Sequence, residues 1–313
     1  MRFVFIGAGA VGGFYGALLQ RSGQDVSVIA RGAHLDAIRR HGLRVFGPLG
    51  DFTAPLRAES DPAKIGPVDV VVLTVKTYDN ATAIPLIAPL VGPGTVVLTI
   101  QNGVDSADEV ARAIGEGPTI AGSTYIATAV ESPGVIRQTG THRRIVFGEC
   151  FGAPKEISKR VAAIEPLLKA ADIHAEAVAD SRPAIWEKFT YLAPFAAFTG
   201  AARLPLGPLW GDPLTREMFV AAVGEVVAVA RAHGVAMAAD HLDKMRAYVS
   251  GIPPATRSSL LIDLSQGKRI EVEALQGSVV RRGQAKGVPT PIMAALYAVL
   301  KPHAAGPPVV LGS

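Results

Sequence analysis

The chain has 313 residues, with 31 Lys and Arg against 27 Asp and Glu for a formal net charge of +4. A composition of 49% hydrophobic and 19% charged residues excludes a disordered chain and, at this length, suits about two globular domains. The basic residues scatter among acidic ones, which argues against a nucleic-acid partner, and the single cysteine, Cys150, excludes an internal disulfide and fits a reducing compartment. No apolar run approaches a membrane span and Met1 leads straight into a strand-like segment, so a cytoplasmic location with no membrane partner is expected.

Phe3 to Ile6 reads as a buried parallel strand that breaks into Gly7-Ala8-Gly9-Ala10-Val11-Gly12 before a helical stretch, Phe14 to Arg21, which stops at Gly23. Strand, glycine turn and helix together form a dinucleotide fingerprint. Gly7 permits the tight turn, Gly9 lets the backbone approach a pyrophosphate, and Gly12 allows close helix-to-strand packing, while Ala10 and Val11 belong to the helix N-terminus whose N–H groups hold the diphosphate. A second strand, Asp25 to Ala30, ends at Arg31. A carboxylate in that place would accept from the ribose 2′-OH of NAD, whereas an arginine attracts a 2′-phosphate, so Arg31 points to NADP; the competing reading is an exposed loop arginine.

Residues 43 to 57 alternate loosely, as in a short β excursion, and Val68 to Val75 has the length and apolarity of a central strand. Lys76 follows it directly, at the strand end where open α/β sheets bind ligands, and is read as a cofactor or substrate contact. A helix is expected over Ala81 to Leu90, then a turn at Val91 to Gly94 and a strand from Thr95 to Ile100, closed by Gln101-Asn102-Gly103. Asn102 either contacts a nicotinamide ribose or substrate oxygen or serves an Asn-Gly turn. Three β segments follow, Ile120 to Ala129, Gly134 to Gln138 and Ile145 to Glu149, then a helix over Lys155 to Ala171 and a last strand, Ile173 to Val178. From Ser181 onward only helical spacing remains, over 182 to 201, 213 to 233, 240 to 249, 257 to 265, 271 to 286 and 291 to 301. The expected fold is α/β: a Rossmann-type dinucleotide-binding domain over 1–180 and an all-helical domain over 181–313.

Hydride transfer to a carbonyl needs a proton donor for the developing alkoxide. The seven histidines show no metal-ligand spacing and Gly-x-Ser-x-Gly is absent, so neither a metal site nor a serine hydrolase is indicated. Two stretches stand out: Trp186-Glu187-Lys188-Phe189, with a lysine in an apolar helix, and Ser258 to Asp263 followed by Gly267 to Glu273. Alone they leave two readings open, since such a lysine snorkels readily and Glu271 suits a helix first turn.

These motifs, in order, resemble the ketopantoate reductase family: Gly7-x-Gly9-x-x-Gly12, Ala30-Arg31-Gly32, Val75-Lys76, Gln101-Asn102-Gly103, Pro133-Gly134-x-Ile136, Trp186-x-Lys188, Ser258-Ser259-x-x-x-Asp263 and Ile270-Glu271. The resemblance implies an NADPH-dependent reductase of a small 2-oxo acid, ketopantoate to pantoate in pantothenate biosynthesis, with Lys188 as general acid. It also implies that Glu271 positions Lys188 or binds a substrate hydroxyl, that Ser259 and Asn102 contact the substrate, and that Lys76 lies on the cofactor side. A homodimer is compatible with it. The family typically carries asparagines four and eight residues after the lysine, where this chain has Leu192 and Ala196. That departure leaves two alternatives to pantoate chemistry: a reductase of a more apolar 2-oxo acid or ketone, or a weakly catalytic NADP-binding regulator.

Overall fold

The computed structural model describes residues 1–308, so the end of the expected second domain, 309–313, lies outside the described residues. The chain divides into two compact units, one of Met1–Gln101 with Ser106–Ala184 and the other of Asn102–Asp105 with Ile185 onward. In the first, β1 (Arg2–Ile6) leads through α1 (Ala10–Arg21) to β2 (Asp25–Ile29) and α2 (Gly32–His41). Then come β3 (Leu43–Phe46), β4 (Phe52–Ala54), β5 (Arg57–Glu59), β6 (Val70–Leu73), α3 (Asn80–Ala83), β7 (Val96–Thr99) and α4 (Ser106–Ile114). The unit closes with β8 (Thr119–Ser132), β9 (Val135–Glu149), α5 (Lys159–Ala170) and β10 (His174–Asp180).

Among the described residues these strands form one sheet in the order β4-β3-β9-β8-β7-β6-β1-β2-β5, with β10 also paired to β9. From β5 to β8 every pairing is parallel. The chain leaves β1 for β2 on one side and returns with β6 on the other, so the winding reverses at β1, and the crevice beyond the carboxyl ends of β1 and β6 is where such a sheet takes a ligand. Alternate residues of β1 enter different cores: Phe3 and Phe5 pack with Phe14 and Leu18, while Val4 and Ile6 pack with Val71 and Leu73. Burial on both faces is why this strand is an unbroken apolar run.

The turn after β1 depends on backbone approach. Gly7 has φ +103°, and a Cβ on Gly12 would sit 2.1 Å from the Gly7 carbonyl oxygen and 2.2 Å from Thr74 Oγ1. Nothing lies within 4 Å of a Cβ built on Gly9. With no side chain at Gly7 or Gly12, α1 begins at Ala10, earlier than the periodicity from Phe14 indicates.

Other elements differ from expectation. The helix expected over Ala81 to Leu90 is a short α3 followed by 3₁₀ turns through Ile84–Leu90, because Pro85 and Pro89 each remove an N–H donor and crowd the preceding turn. The segments ending at Gln138 and starting at Ile145 are one strand, β9: pairing with β8 slips between Ile126 and Thr128, so the Thr139-Gly140 stretch is an irregularity within a strand instead of a turn. The helix expected over 271 to 286 starts with a π turn, Glu273–Gly277, in which the Gly277 N–H donates to the Val272 carbonyl at 2.9 Å.

The second unit takes up α6 (Arg182–Ala202) from Ile185 and continues through α7 (Leu206–Gly211), α8 (Pro213–Ala232), α9 (His241–Ser250), α10 (Ser259–Ser265), α11 (Ser278–Lys286) and α12 (Pro291–Leu300). Among its described residues no strand occurs. Trp186, Phe189 and Ala193 of α6 pack with Val226, Leu275 and Met293 in its main core. The short α7 was not anticipated, since its Leu-Gly-Pro-Leu-Trp-Gly sequence is poor in helix formers.

Gly12→Ala is expected to lower stability by about 1–3 kcal/mol, because a backbone carbonyl cannot swing away from the new methyl group. Gly9→Ala should change it by less than about 1 kcal/mol, the difference between the two residues at a helix N-cap. Thermal unfolding of the two variants side by side checks the contrast.

Candidate active site

The first unit presents a dinucleotide cradle. Gly9 caps α1 in extended conformation, and the first intrahelical bond, Gly13 N–H to Gly9 carbonyl at 2.8 Å, leaves the preceding helical N–H groups of Ala10, Val11 and Gly12 without a carbonyl four residues back. Open space above Gly9 and the positive end of α1 fit a pyrophosphate. Arg31 is the N-cap of α2 at the end of β2; its side chain is 72% exposed and reaches Asp79 Oδ2 only at 3.4 Å, so it is available to an anion. Lys76 follows β6 at the start of a 3₁₀ turn. Among the described residues no three His, Cys, Asp or Glu side chains come together as a metal would require.

Two residues that sequence reasoning missed hold this cradle in shape. Thr74 Oγ1 donates to the carbonyls of Ile6 (3.1 Å) and Gly7 (2.8 Å), fixing the carboxyl end of β1 against that of β6. The Gly134 N–H donates to His34 Nδ1 at 3.0 Å, which leaves Nε2 as the protonated nitrogen, donating to the Ala8 carbonyl at 2.7 Å. His34 thereby links the β8–β9 hairpin to the glycine turn. A lone histidine and a strand-end threonine carry no spacing signal, so only contacts across 26 and 68 residues reveal them.

The end of β7 divides its motif. Gln101 belongs to the first unit and donates through Nε2 to the Val75 carbonyl and to Asn80 Oδ1, both at 2.7 Å, which steadies the segment carrying Lys76. Asn102 belongs to the helical unit, and its Oδ1 accepts from Lys188 Nζ at 3.0 Å. Lys188 lies on α6 one turn before Leu192. Removal from water pulls its ammonium down to about 8, and the negative charge of Glu271, itself buried just before the π turn, pushes the other way. Lys188, Asn102 and Glu271 therefore act on one another within one unit.

The serine pair separates in role. Ser258 is the buried N-cap of α10: its Oγ accepts from the Leu261 N–H at 3.0 Å and shares a hydrogen bond with Thr199 Oγ1 at 2.7 Å. Ser259, the first residue of that helix, is exposed. Ala196 is buried in the unit's apolar core and Leu192 packs on the same core. Gln276, in the π turn, donates to the Ala193 carbonyl at 2.8 Å and ties that turn to α6.

Compared with known proteins, the sequence matches the family described as ketopantoate reductase PanE/ApbA over residues 3–151 and its C-terminal part over 180–304. It is 31% identical to a 2-dehydropantoate 2-reductase of Mesorhizobium japonicum, over 96% of this chain and 97% of that one. Among solved structures, it resembles 2-dehydropantoate 2-reductase of Geobacter metallireducens at 31% identity and TM-score 0.89, over 96% of this chain and 99% of that one. It also resembles a PanE/ApbA family ketopantoate reductase of Ralstonia eutropha, at 32% identity and TM-score 0.87 over 96% and 97%.

The Lys188 amine should titrate near 8, and Glu271→Gln should lower that midpoint, since the carboxylate favours the charged form. NMR of the protein carrying isotope-labelled lysine, with Lys188→Arg to assign the signal, checks both the position and the direction.

Proposed function

The chain belongs to the ketopantoate reductase family, and from that premise we propose that it reduces ketopantoate to pantoate with NADPH. It is a dinucleotide-dependent oxidoreductase of the 2-dehydropantoate 2-reductase type, acting on a small 2-oxo acid. The observation that supports proton donation to a 2-oxo acid is the Lys188 ammonium, hydrogen-bonded to Asn102 and under the charge of Glu271, while the family supplies ketopantoate and NADPH as the first choice.

When bound, the reduced nicotinamide supplies the hydride. Lys188 Nζ holds the proton that the C2 oxygen needs as its charge develops, and the ammonium attracts the neighbouring carboxylate of a 2-oxo acid. A midpoint near 8 keeps that proton in place at neutral pH while making it easier to give up than that of an ordinary lysine. Asn102 Oδ1 fixes the direction of Nζ, Glu271 steadies the charged form, and Ser259 contacts the substrate carboxylate or its neighbouring polar atoms. Arg31 and Lys76 serve the cofactor, Arg31 toward the 2′-phosphate.

A second reading concerns the substrate. With Ala196 inside the apolar core and Leu192 against it, a 4-hydroxyl in the place where the family has asparagines would lose its partner at about 1–3 kcal/mol, which favours a 2-oxo acid without that hydroxyl.

Lys188→Ala is expected to lower kcat by about 10²–10⁴-fold with NADPH binding retained, and wild-type kcat/KM should fall as pH rises through about 8 because the acid must be protonated in the free enzyme. Full turnover by Lys188→Ala would overturn its role, and a wild-type chain inert toward a panel of 2-oxo acids would favour the regulator. Comparing kcat/KM for ketopantoate with that for 3,3-dimethyl-2-oxobutanoate, which lacks the 4-hydroxyl, decides between the two substrates. Arg31→Ala should raise KM for NADPH at least about tenfold and leave that for NADH nearly unchanged, as loss of a charge-assisted phosphate contact requires; equal effects on both cofactors would remove the 2′-phosphate from its role.

A further inference from the structure

The segment Asn102–Asp105 packs with the helical unit although its chain neighbours on both sides belong to the sheet unit. Contacts along its whole length hold it there. Val104 packs on the helical core, and the Gly103 backbone is so close to Ala274 that an added Cβ would lie 2.9 Å from the Ala274 carbonyl oxygen. Arg282 Nε donates to Asp105 Oδ1 at 2.7 Å, and its terminal nitrogen donates to the Val104 carbonyl at 3.2 Å. The pair is sheltered, with the Arg282 and Asp105 side chains 21% and 22% exposed, and Arg281 adds a looser approach to Asp105 at 3.6 Å.

The same guanidinium lies 5.9 Å from the ring centroid of Trp186, two residues before Lys188 on α6. His233 stacks on that indole at 6.3 Å with its plane tilted by 21°, and His233 Nε2 donates to the Arg282 carbonyl at 3.1 Å. Arg282 therefore touches the support of each member of the Lys188–Asn102 pair: the indole on the lysine's helix, and the carboxylate and carbonyl of the asparagine's segment. A planar fork with fixed donors suits this task, where a lysine point charge would reach one acceptor without fixing the other.

We propose that Arg282 is a positioning residue of the reductase, which with Asp105 holds the Asn102 carboxamide oxygen on Lys188 and so sets the direction and charge state of the ammonium. The proposal rests on the reading of Lys188 as the proton donor. Around the ammonium, Asn102 supplies an acceptor and Glu271 the opposing charge. Around the guanidinium stand Asp105, Arg281 and His233, and Arg281 is itself engaged by Glu273 at 2.9 Å. Loosening the segment removes an acceptor from the charged amine, so the amine should lose its proton at lower pH.

The test measures the acetylation rate of Lys188 by acetic anhydride against pH, read by mass spectrometry on the full chain without cofactor, for wild type, Arg282→Gln, Asp105→Asn and Asn102→Ala. Arg282→Gln and Asp105→Asn are each expected to move the midpoint acidward by about half a unit or more and to lower kcat several-fold, with KM for the dinucleotide nearly unchanged. Arg282→Gln added to Asn102→Ala should move the midpoint no further, because the path is already cut. A midpoint unmoved in both single variants, or a full further shift in the Asn102→Ala background, overturns the proposal. If Arg282→Gln fails to fold, Asp105→Asn decides. Turnover surviving in Lys188→Ala would overturn the functional reading alone, since the labelling midpoint does not depend on it.

Discussion

An ammonium withdrawn from water has to be met by acceptors and counter-charge in the same confined space, and Lys188 imposes that requirement on the helical unit. Its helix is fixed by Trp186 and Phe189 in the core, its acceptor arrives from a segment that leaves the sheet unit for four residues, and its counter-charge comes from Glu271 at the start of a π turn. The π turn lengthens the backbone bond at Gly277 by one residue relative to an α-helix, while Gln276 within it reaches back to the Ala193 carbonyl. Carboxylate, turn and lysine helix are thus tied by backbone and side-chain bonds as well as by charge.

The sheet unit answers a different constraint, the close approach of two backbone turns. Gly12 can lie on the Gly7 carbonyl and Thr74 only because neither glycine carries a side chain, and Thr74 and His34 take up the carbonyls of Gly7 and Ala8 that the turn turns outward. Carbonyl oxygens satisfied from behind leave the amide edge of the turn and the start of α1 to face an anion.

Much of this was legible in the sequence where one local pattern had one physical cause. The apolar run of β1, the glycine spacing and the absence of strand signals after Ser181 each follow from burial or backbone sterics. Helix ends failed where proline chemistry or a π turn overrode periodicity, as at Pro85 and Gly277, and β9 was split because Thr139-Gly140 has turn composition while the strand continues past it. Within the candidate site, Asn102 is legible from its place at a strand end, whereas Lys188 and Glu271 stand out in the sequence but take their roles only from the resemblance, since a lysine in an apolar helix has an ordinary explanation on its own. Thr74, His34 and Arg282 carry no signal of these roles in the sequence, where Arg281-Arg282 reads as a short solvated basic pair, because the roles lie in contacts between residues remote along the chain.

The excursion of Asn102–Asp105 makes the two compact units inseparable as inherited parts. A piece ending near Ala184 would carry away the acceptor of Lys188, and would present Val104 and the Asp105 carboxylate without the helical core and guanidinium that receive them. A piece starting near Ile185 would keep the lysine and lose the Asn102 acceptor. Recombination at the obvious junction between sheet and helices therefore cannot graft this site onto another dinucleotide-binding unit unless the incoming unit brings a compatible four-residue loop after its own β7 equivalent. The loop and the helical half are thus joined by a direct bond between Asp105 and Arg282 across a separation of 177 residues.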